Sequence, residues 1–156
     1  MTLTRPVLLV GIAVAALGAI GAVLVSQHVF DMQPCPFCVL LRLIVLLIAG
    51  LALIGLAWTS TLGRRATTAG ILLLAAAGVF TTLWQHFIAA ASNSCNLSWA
   101  DRLMTALQLD AWLPEIFQPR ASCADAVYKI LGVYYEFWGL ALCVLLAAAA
   151  LSAARR

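Results

Sequence analysis

Residues 39–58 decide the fold, and they read VLLRLIVLLIAGLALIGLAW. Arg42 is the one charged residue in this stretch. A helix rises about 1.5 Å per residue, so a stretch of this length crosses the roughly 30 Å of hydrocarbon in a bilayer. It lacks the alternation of polar and apolar residues that a membrane β-strand shows. The stretch therefore predicts a membrane-spanning helix.

Three further apolar stretches have the same character, at residues 7–26, 66–90 and 134–150. Apolar residues make up 65% of the 156-residue chain and charged residues 10%, whereas an average soluble domain is roughly 45–50% apolar. The net charge of +3 is not clustered as a nucleic-acid footprint would be. We expect an all-α membrane protein: a single domain over residues 1–156, folded as a four-helix transmembrane bundle in the lipid bilayer, with no nucleic-acid partner.

The first apolar stretch carries small residues at helix-contact spacing, namely Gly11, Ala15, Gly18 and Ala22. This pattern predicts close packing of the first helix through these residues. The stretch also resembles a signal peptide, but its apolar run is longer than the usual 7–15 residues. We expect it to be retained as a span.

Basic residues outside the spans indicate the orientation. One side of a four-span topology receives five arginines and no acidic residue: Arg5, Arg64, Arg65, Arg155 and Arg156. Basic residues are enriched in cytoplasmic segments of membrane proteins. The pattern predicts that both termini and loop 59–65 are cytoplasmic, and that loops 27–38 and 91–133 face outward.

The outward loop 91–133 is unusually long for a connection without secondary structure. Part of its apolar spacing, at Trp99, Leu103 and Leu107, is helical. This spacing predicts either one short amphipathic helix on the membrane surface or a loop folded over the top of the bundle. Pro114 and Pro119 are expected to break any helix before Cys123.

Four of the five cysteines fall in the outward segments: Cys35, Cys38, Cys95 and Cys123. Disulfides persist outside the cytoplasm, so this placement is typical of an oxidising compartment. Cys143 lies inside the fourth span, where a buried cysteine usually serves as a small packing residue.

The first pair has the spacing Cys35-Pro36-Phe37-Cys38, which favours reversible thiol exchange. Three other interpretations compete with it. Half of a zinc site would need further ligands, haem attachment would need a histidine in place of Val39, and a structural bridge over two residues stabilises little. We expect no metal.

The position of Cys38 strengthens the redox interpretation. It falls at the N-terminal end of the second span, where unpaired N–H groups and the helix dipole favour a thiolate. Arg42 follows one helical turn later on the same face. A charged residue inside a membrane is costly and indicates function, unless its side chain reaches the nearby interface.

The second pair, Cys95 and Cys123, has 27 residues between its members. This spacing suits a disulfide that ties the long loop back on itself. Such a bond either stabilises the loop or acts as an exposed shuttle that a soluble thiolate can attack.

Together these motifs resemble the DsbB family of quinone-linked, disulfide-generating membrane proteins, over essentially the whole chain. The resemblance rests on these residues: Gln27-His28-Val29, Pro34-Cys35 with Cys38 and Arg42, His86, Cys95, the segment 112–117 followed by Cys123, and Leu131-Gly132 before Trp138. Pro36-Phe37 inside the first pair and the apolar residues after His86 depart from the family pattern.

The resemblance implies a protein-dithiol:quinone oxidoreductase of the bacterial inner membrane. A reduced, DsbA-like periplasmic oxidase of thioredoxin fold would form its mixed disulfide with Cys95, and Cys123 would then pass electrons to the Cys35–Cys38 disulfide. Cys38 would reduce ubiquinone or menaquinone, with Arg42 supporting the developing negative charge and His86 near the quinone. His28 is expected to anchor the chain at the interface.

Two function classes compete with this interpretation. A membrane scaffold with purely structural disulfides would leave Arg42 dispensable and all four outward cysteines oxidised. A transporter of reducing equivalents would need cysteines open to the cytoplasm, and no predicted cytoplasmic segment contains one.

Overall fold

The computed structural model describes residues 4–90 and 98–155 and is mostly helical. Four long helices confirm the predicted bundle: α1 (Arg5–Val29), α2 (Pro36–Ala57), α3 (Thr61–Trp84) and α7 (Tyr135–Ala154). A π-helical turn, Gln85–Ala89, extends α3. Each of these four segments is long and apolar enough to cross a membrane. The remaining elements are α4 (Trp99–Ala106), α5 (Leu109–Trp112), α6 (Pro114–Phe117), β1 (Lys129–Ile130) and β2 (Val133–Tyr134).

The four long helices form a closed ring in which α1 packs on α2 and α7, and α3 packs on the same two helices. Short connections join α1 to α2 and α2 to α3, so these neighbours run antiparallel. Small and branched apolar side chains fill the centre: Ile12, Ala16, Ile48, Ala52, Ile71 and Ala75. We call the end that carries Cys35 and Cys38 the cysteine end.

A capping residue, not apolarity, sets the start of α3. The Ser60 side chain accepts a hydrogen bond from the Gly63 N–H at 3.1 Å, so α3 begins at Thr61, five residues before the predicted span. Arg64 and Arg65 therefore lie in the helix and not in a loop. Hydropathy alone does not detect this extension, because the first turn of α3 is polar.

The prediction that α1 packs through Gly11, Ala15, Gly18 and Ala22 is wrong. These residues are exposed on the outside of the bundle, and a Cβ atom added at Gly11 or Gly18 would meet nothing within 4 Å. The buried face of α1 consists instead of Leu9, Ile12, Ala13, Ala16 and Ile20. This second stripe has similar helical spacing, and its larger side chains fill the space beside α2 and α7.

A close helix contact at a small residue lies between α3 and α7. Gly78 faces the fully buried Cys143, and a Cβ atom at Gly78 would lie 2.6 Å from the Cys143 Sγ. Cys143 thus packs between helices as a small apolar side chain.

We expect Gly78→Ala to lower the free energy of unfolding by about 1–3 kcal/mol, because overpacking forces neighbouring atoms apart. Thermal unfolding in detergent measures this change. Gly11→Ala is the matched control, since it adds the same methyl group in open space and should leave stability unchanged or slightly raised. Combining Gly78→Ala with Cys143→Ala should restore stability; equal effects of Gly78→Ala and Gly11→Ala would contradict this packing.

The segment between α3 and α7 contains more structure than either sequence-based alternative. The described part, residues 98–133, has three short helices and one strand, whose partner β2 begins at Val133. The predicted breaks are confirmed: α5 ends at Trp112, two residues before Pro114, and α6 ends at Phe117, two residues before Pro119. Pro114 also begins α6, because a proline at the first helical position needs no N–H partner.

Helix α4 combines features of both alternatives. Ala100 and Met104 are buried while Trp99 and Leu103 remain partly exposed, and the Trp99 ring lies 5.3 Å from that of Phe37 at the start of α2. Helix α4 therefore lies on the bundle with an apolar side left outward. Its contact with a membrane surface stays a prediction.

A tight hairpin leads from this segment into α7. Strands β1 and β2 pair antiparallel, and the two residues between them, Leu131 and Gly132, both have positive φ. Such a two-residue turn matches the twist of a hairpin. The sequence did not predict it, because leucine rarely adopts positive φ.

Candidate functional site

The first cysteine pair lies at the start of α2. Cys35 is the N-cap residue and Pro36 the first helical residue, so proline occupies a position where its missing N–H costs nothing. The Cys38 N–H donates a hydrogen bond to the Cys35 Sγ at 3.3 Å, and the two sulfurs lie 2.8 Å apart. The pair is thus held face to face by the first turn of the helix.

Cys123 approaches the first pair from the long segment. Its side chain is buried and hydrogen-bonds with that of Cys35. The Pro34 carbonyl accepts backbone hydrogen bonds from Arg120 at 2.9 Å and Ala121 at 3.2 Å, which fix the chain just before Cys123. Cys35 consequently lies between Cys123 and Cys38.

The surroundings of Cys35 favour its protonated form. Hydrogen bonds with Cys123 and Cys38, together with burial, raise the pKa of the Cys35 thiol well above its usual value. Cys95, the predicted partner of Cys123, lies outside the described residues.

A cavity of about 370 Å³ opens beside Cys38, between α1, α2 and α7. Its walls are mainly apolar, formed among others by Ala19, Val23, Leu41, Val45, Trp138 and Leu142. Cys38, Arg42, Gln85 and Glu136 bring polar groups to the same wall. Cys35 and Cys123 are not among the residues that line it.

Arg42 is buried one turn below Cys38. Its Nη1 donates hydrogen bonds to the Gln27 side-chain oxygen and to the Ile116 carbonyl, both at 2.8 Å. Its Nε has no hydrogen-bond partner among the described residues. Within that part of the chain no carboxylate forms an ion pair with Arg42, so its positive charge on the cavity lining is not neutralised by direct contact.

The π-helical turn brings two polar side chains toward the site. Gln85 donates a hydrogen bond from Nε2 to the Cys38 Sγ at 3.4 Å, which stabilises a thiolate at Cys38. His86 Nδ1 lies 2.7 Å from Glu136 Oε1. The wider turn lets consecutive residues reach α2 and α7, and such turns are frequent at functional sites.

His86 itself does not line the cavity. The Glu136 side chain, in the first turn of α7, stands between them. The imidazole packs instead against the rings of Phe87, Tyr134 and Phe137. His86 therefore reaches the cavity wall only through its contact with Glu136, and its position near a quinone stays a prediction.

Sequence reasoning assigned no role to Gln27, Gln85 or Glu136. The usable signal was the presence of polar side chains at the ends of apolar spans, since such residues are costly in a membrane and indicate function. Gln27 belonged to a quoted motif, and Glu136 was placed at the mouth of the fourth span. Their partners are distant in sequence, and only the folded chain brings them together.

A second histidine–carboxylate pair lies on the surface near the cysteine end. His28 Nε2 and Glu115 Oε2 are 3.0 Å apart, and Arg120 lies 3.2 Å from the other carboxylate oxygen. Hydrogen bonds from His28 and then Arg120 lower the pKa of Glu115. This exposed group links α1 to α6 and does not line the cavity.

Comparison with known proteins gives one family. The model of the family described as "Disulfide bond formation protein DsbB" matches residues 4–153. "Disulfide bond formation protein B 2" of Pseudomonas aeruginosa is 31% identical over 154 residues, covering 93% of this chain and 89% of the relative.

Two further relatives show similar levels of identity. "Disulfide bond formation protein B" of Burkholderia pseudomallei is 33% identical over 141 residues, covering 90% of this chain and 83% of the relative. "Disulfide bond formation protein B 1" of Pseudomonas syringae pv. syringae is 34% identical over 143 residues, covering 89% of this chain and 83% of the relative.

Proposed function

Since this chain belongs to the DsbB family of disulfide bond formation proteins, we propose that it reoxidises a periplasmic dithiol oxidase and passes the electrons to a membrane quinone. Family membership and four apolar helices make it a multi-pass membrane protein of disulfide bond formation. What we propose beyond this is the identity of the partner and of the electron acceptor, and the role of each residue.

The observation that carries this proposal is the order of three sulfurs. Cys123 contacts Cys35, Cys35 lies 2.8 Å from Cys38, and Cys38 lines the cavity. Thiol–disulfide exchange needs sulfurs that can meet in succession. Electrons can therefore pass from Cys123 in the long segment to Cys38 at the cavity wall by exchange at Cys35.

The first exchange takes place with the soluble partner. A thiolate of a DsbA-like protein of thioredoxin fold attacks Cys95 of the Cys95–Cys123 disulfide, and Cys123 leaves as a thiolate. The partner's second thiol then displaces Cys95, so the partner gains a disulfide and this chain gains two thiols. Two electrons and two protons have moved to Cys95 and Cys123.

The second exchange takes place within the chain. Cys123 attacks Cys35 of the Cys35–Cys38 disulfide, and Cys38 leaves as a thiolate. The helix N-terminus and the Gln85 donor stabilise this leaving group. When Cys95 completes the Cys95–Cys123 disulfide by displacing Cys35, the two electrons reside on Cys35 and Cys38.

The cavity fits a quinone in size and polarity. Ligand sites combine apolar walls with a few placed polar groups, and here the polar residues include Cys38, Arg42 and Gln85. Arg42 and Gln85 would hold the quinone oxygens, and the apolar walls would hold the ring and the start of its isoprenoid tail. A quinone bound there accepts two electrons as the Cys35–Cys38 disulfide re-forms. Ubiquinone and menaquinone share these features.

The charge distribution supports the orientation in the bacterial inner membrane. Arg64 and Arg65 lie in the first turns of α3, at the end of the bundle opposite to the cysteine end. With basic residues in the cytoplasm, the cysteine end faces the periplasm, where a soluble dithiol oxidase can reach it.

Quinone reduction by the purified protein tests the proposal. The protein in detergent, without oxygen, receives a reduced thioredoxin-fold dithiol oxidase and a soluble ubiquinone analogue, and quinone absorbance is followed. We expect reduction of one quinone for each partner disulfide formed. No reduction with ubiquinone or menaquinone analogues, with the cysteines still paired, would favour a structural scaffold instead.

A further inference from the structure

Glu136 is the one buried carboxyl group among residues 4–90 and 98–155. It lines the cavity together with Cys38 and Arg42. Burying a carboxylate is costly unless it is paired, and here the partner is His86, with Nδ1 at 2.7 Å from Oε1. The proposed electron transfer assigns no task to this pair.

The pair connects the cavity with the outside of the bundle. Only 4% of the Glu136 side chain is exposed, against 23% for His86. An interhelical pair with only a structural role would not need one member on a cavity wall and the other at the surface. The two side chains form a continuous polar path between the cavity and the outside of the bundle.

The chemistry of the cavity requires such a path. Reduction of a quinone to the hydroquinone takes up two electrons and two protons. If Cys38 reacts as a thiolate, the Cys35–Cys38 pair supplies two electrons and the single proton of Cys35. The second proton must come from another group.

Few groups at the cavity can supply it. Arg42 stays charged and the Gln85 amide does not ionise at neutral pH. Two phenols, of Tyr128 and Tyr135, also line the cavity, but a phenol ordinarily ionises well above neutral pH. Glu136 is the one carboxyl group among the lining residues that the structure describes.

We propose that Glu136 and His86 form a proton relay from the periplasmic surface to the cavity, with Glu136 as the group that donates inside it. This inference rests on the proposed quinone reduction. A proton from outside binds at Nε2 of His86 while the Nδ1 proton passes to Oε1 of Glu136, and Glu136 then releases its proton into the cavity. No electrons move in the relay, and exchange with water restores the first tautomer of His86.

The surrounding charges are compatible with this relay. Arg42 and Cys38 of α2 share the cavity with Glu136. On the hairpin, Lys129 Nζ lies 4.6 Å from the centre of the Tyr134 ring, which in turn contacts the His86 ring at 5.0 Å. Arg42 is thus the cation that shares the cavity with Glu136, and Lys129 lies beyond the Tyr134 ring on the His86 side of the pair.

Single-turnover kinetics of Glu136→Gln test the donor. Glutamine keeps the shape and a hydrogen bond to His86 but cannot deliver a proton. With a ubiquinone analogue and the pre-reduced protein, we expect hydroquinone formation to slow about 100-fold, the scale of general acid catalysis. Proton uptake, followed by a pH indicator, should slow with it, and the pH dependence of the rate near neutrality should be lost.

Two variants make this result specific. Glu136→Asp keeps a carboxyl group and should retain much of the rate. Glu115→Gln removes the other histidine–carboxylate pair, which lies outside the cavity, and should change neither the rate nor its pH dependence. A wild-type rate and pH profile in Glu136→Gln would overturn the relay.

A second measurement needs no quinone. After a pH jump on the quinone-free protein, infrared absorption of the Glu136 carboxyl group, assigned by its loss in Glu136→Gln, reports when this group gains a proton. We expect His86→Asn, which keeps a hydrogen-bonding nitrogen but cannot take up a proton and pass it on, to slow this step at least about 10-fold. An unchanged protonation rate would overturn the role of His86.

These outcomes separate the relay from the proposed function. If the wild type does not reduce quinone, the proposed function fails. If the wild type reduces quinone and Glu136→Gln does so equally fast, the proposed function stands and the relay fails.

Discussion

Replacement of Cys38 by serine is expected to abolish catalytic oxidation of a soluble dithiol protein while leaving one stoichiometric exchange intact. Cys95 and Cys123 are unchanged in this variant, so each molecule can still oxidise one partner. Serine cannot form the bond with Cys35 that lies at the cavity wall, so electrons have no further path. Partner oxidation and quinone absorbance, measured in the same sample, should show one equivalent of oxidised partner and no reduced quinone.

Cys143→Ala is the matched control for this experiment. Cys143 is a buried cysteine in α7 that packs against Gly78 and does not line the cavity. Its replacement should leave turnover at the wild-type level. Multiple turnovers in Cys38→Ser would exclude Cys38 as the residue that delivers electrons to the quinone.

Arg42→Met is expected to have the second largest effect. Methionine keeps much of the side-chain volume but removes the cation from the cavity wall and both hydrogen bonds of Nη1. Removing one donor that stabilises developing negative charge typically costs about 10²–10³-fold. We expect kcat/KM for a ubiquinone analogue to fall by about this factor, measured at saturating dithiol partner.

The same replacement should loosen the long segment. The Ile116 carbonyl and the Gln27 side-chain oxygen both lose their Arg42 donor, so hydrogen exchange across residues 113–118 should accelerate. Arg65→Met, an exposed arginine in α3 at the opposite end of the bundle, should change neither measurement. Wild-type quinone kinetics in Arg42→Met would show that its charge does not serve the quinone.

Apolar content alone predicted the bundle, because a membrane leaves helices as nearly the only structure for such stretches. The motifs at Cys35, Cys38 and Arg42 predicted the family, which the comparisons confirm. These signals are local, since the spacing between Cys38 and Arg42 fixes their common face on any helix.

Contacts between segments that are distant in the chain could not be predicted from the sequence. The approach of Cys123 to Cys35 depends on backbone bonds from Arg120 and Ala121 to Pro34, which no periodicity encodes. The stripe at Gly11 and Gly18 was misassigned because two helical faces of α1 have similar spacing, and packing volume decides between them.

The candidate site shows the same difference between local spacing, which the sequence reveals, and contacts between distant residues, which it does not. Cys38 and Arg42 were identified because they stand four residues apart on one helix, and both line the cavity. Gln85 and Glu136 reach it from two other helical segments, and the π-helical turn that orients Gln85 and His86 has no recognised sequence signal. The sequence did not predict that Glu136 is buried, because its burial depends on the packing of the folded chain.

The most direct test of the account is to map the disulfide that forms when Cys38 and Cys95 are both replaced by serine. Cys35 and Cys123 then keep only each other as neighbours in the proposed order of sulfurs. After mild oxidation of the membrane-embedded protein, peptide mass spectrometry should find a Cys35–Cys123 disulfide in most molecules, because these side chains already touch. A Cys123 that stays reduced, or that pairs with any other residue, would contradict the path from the long segment to the cavity.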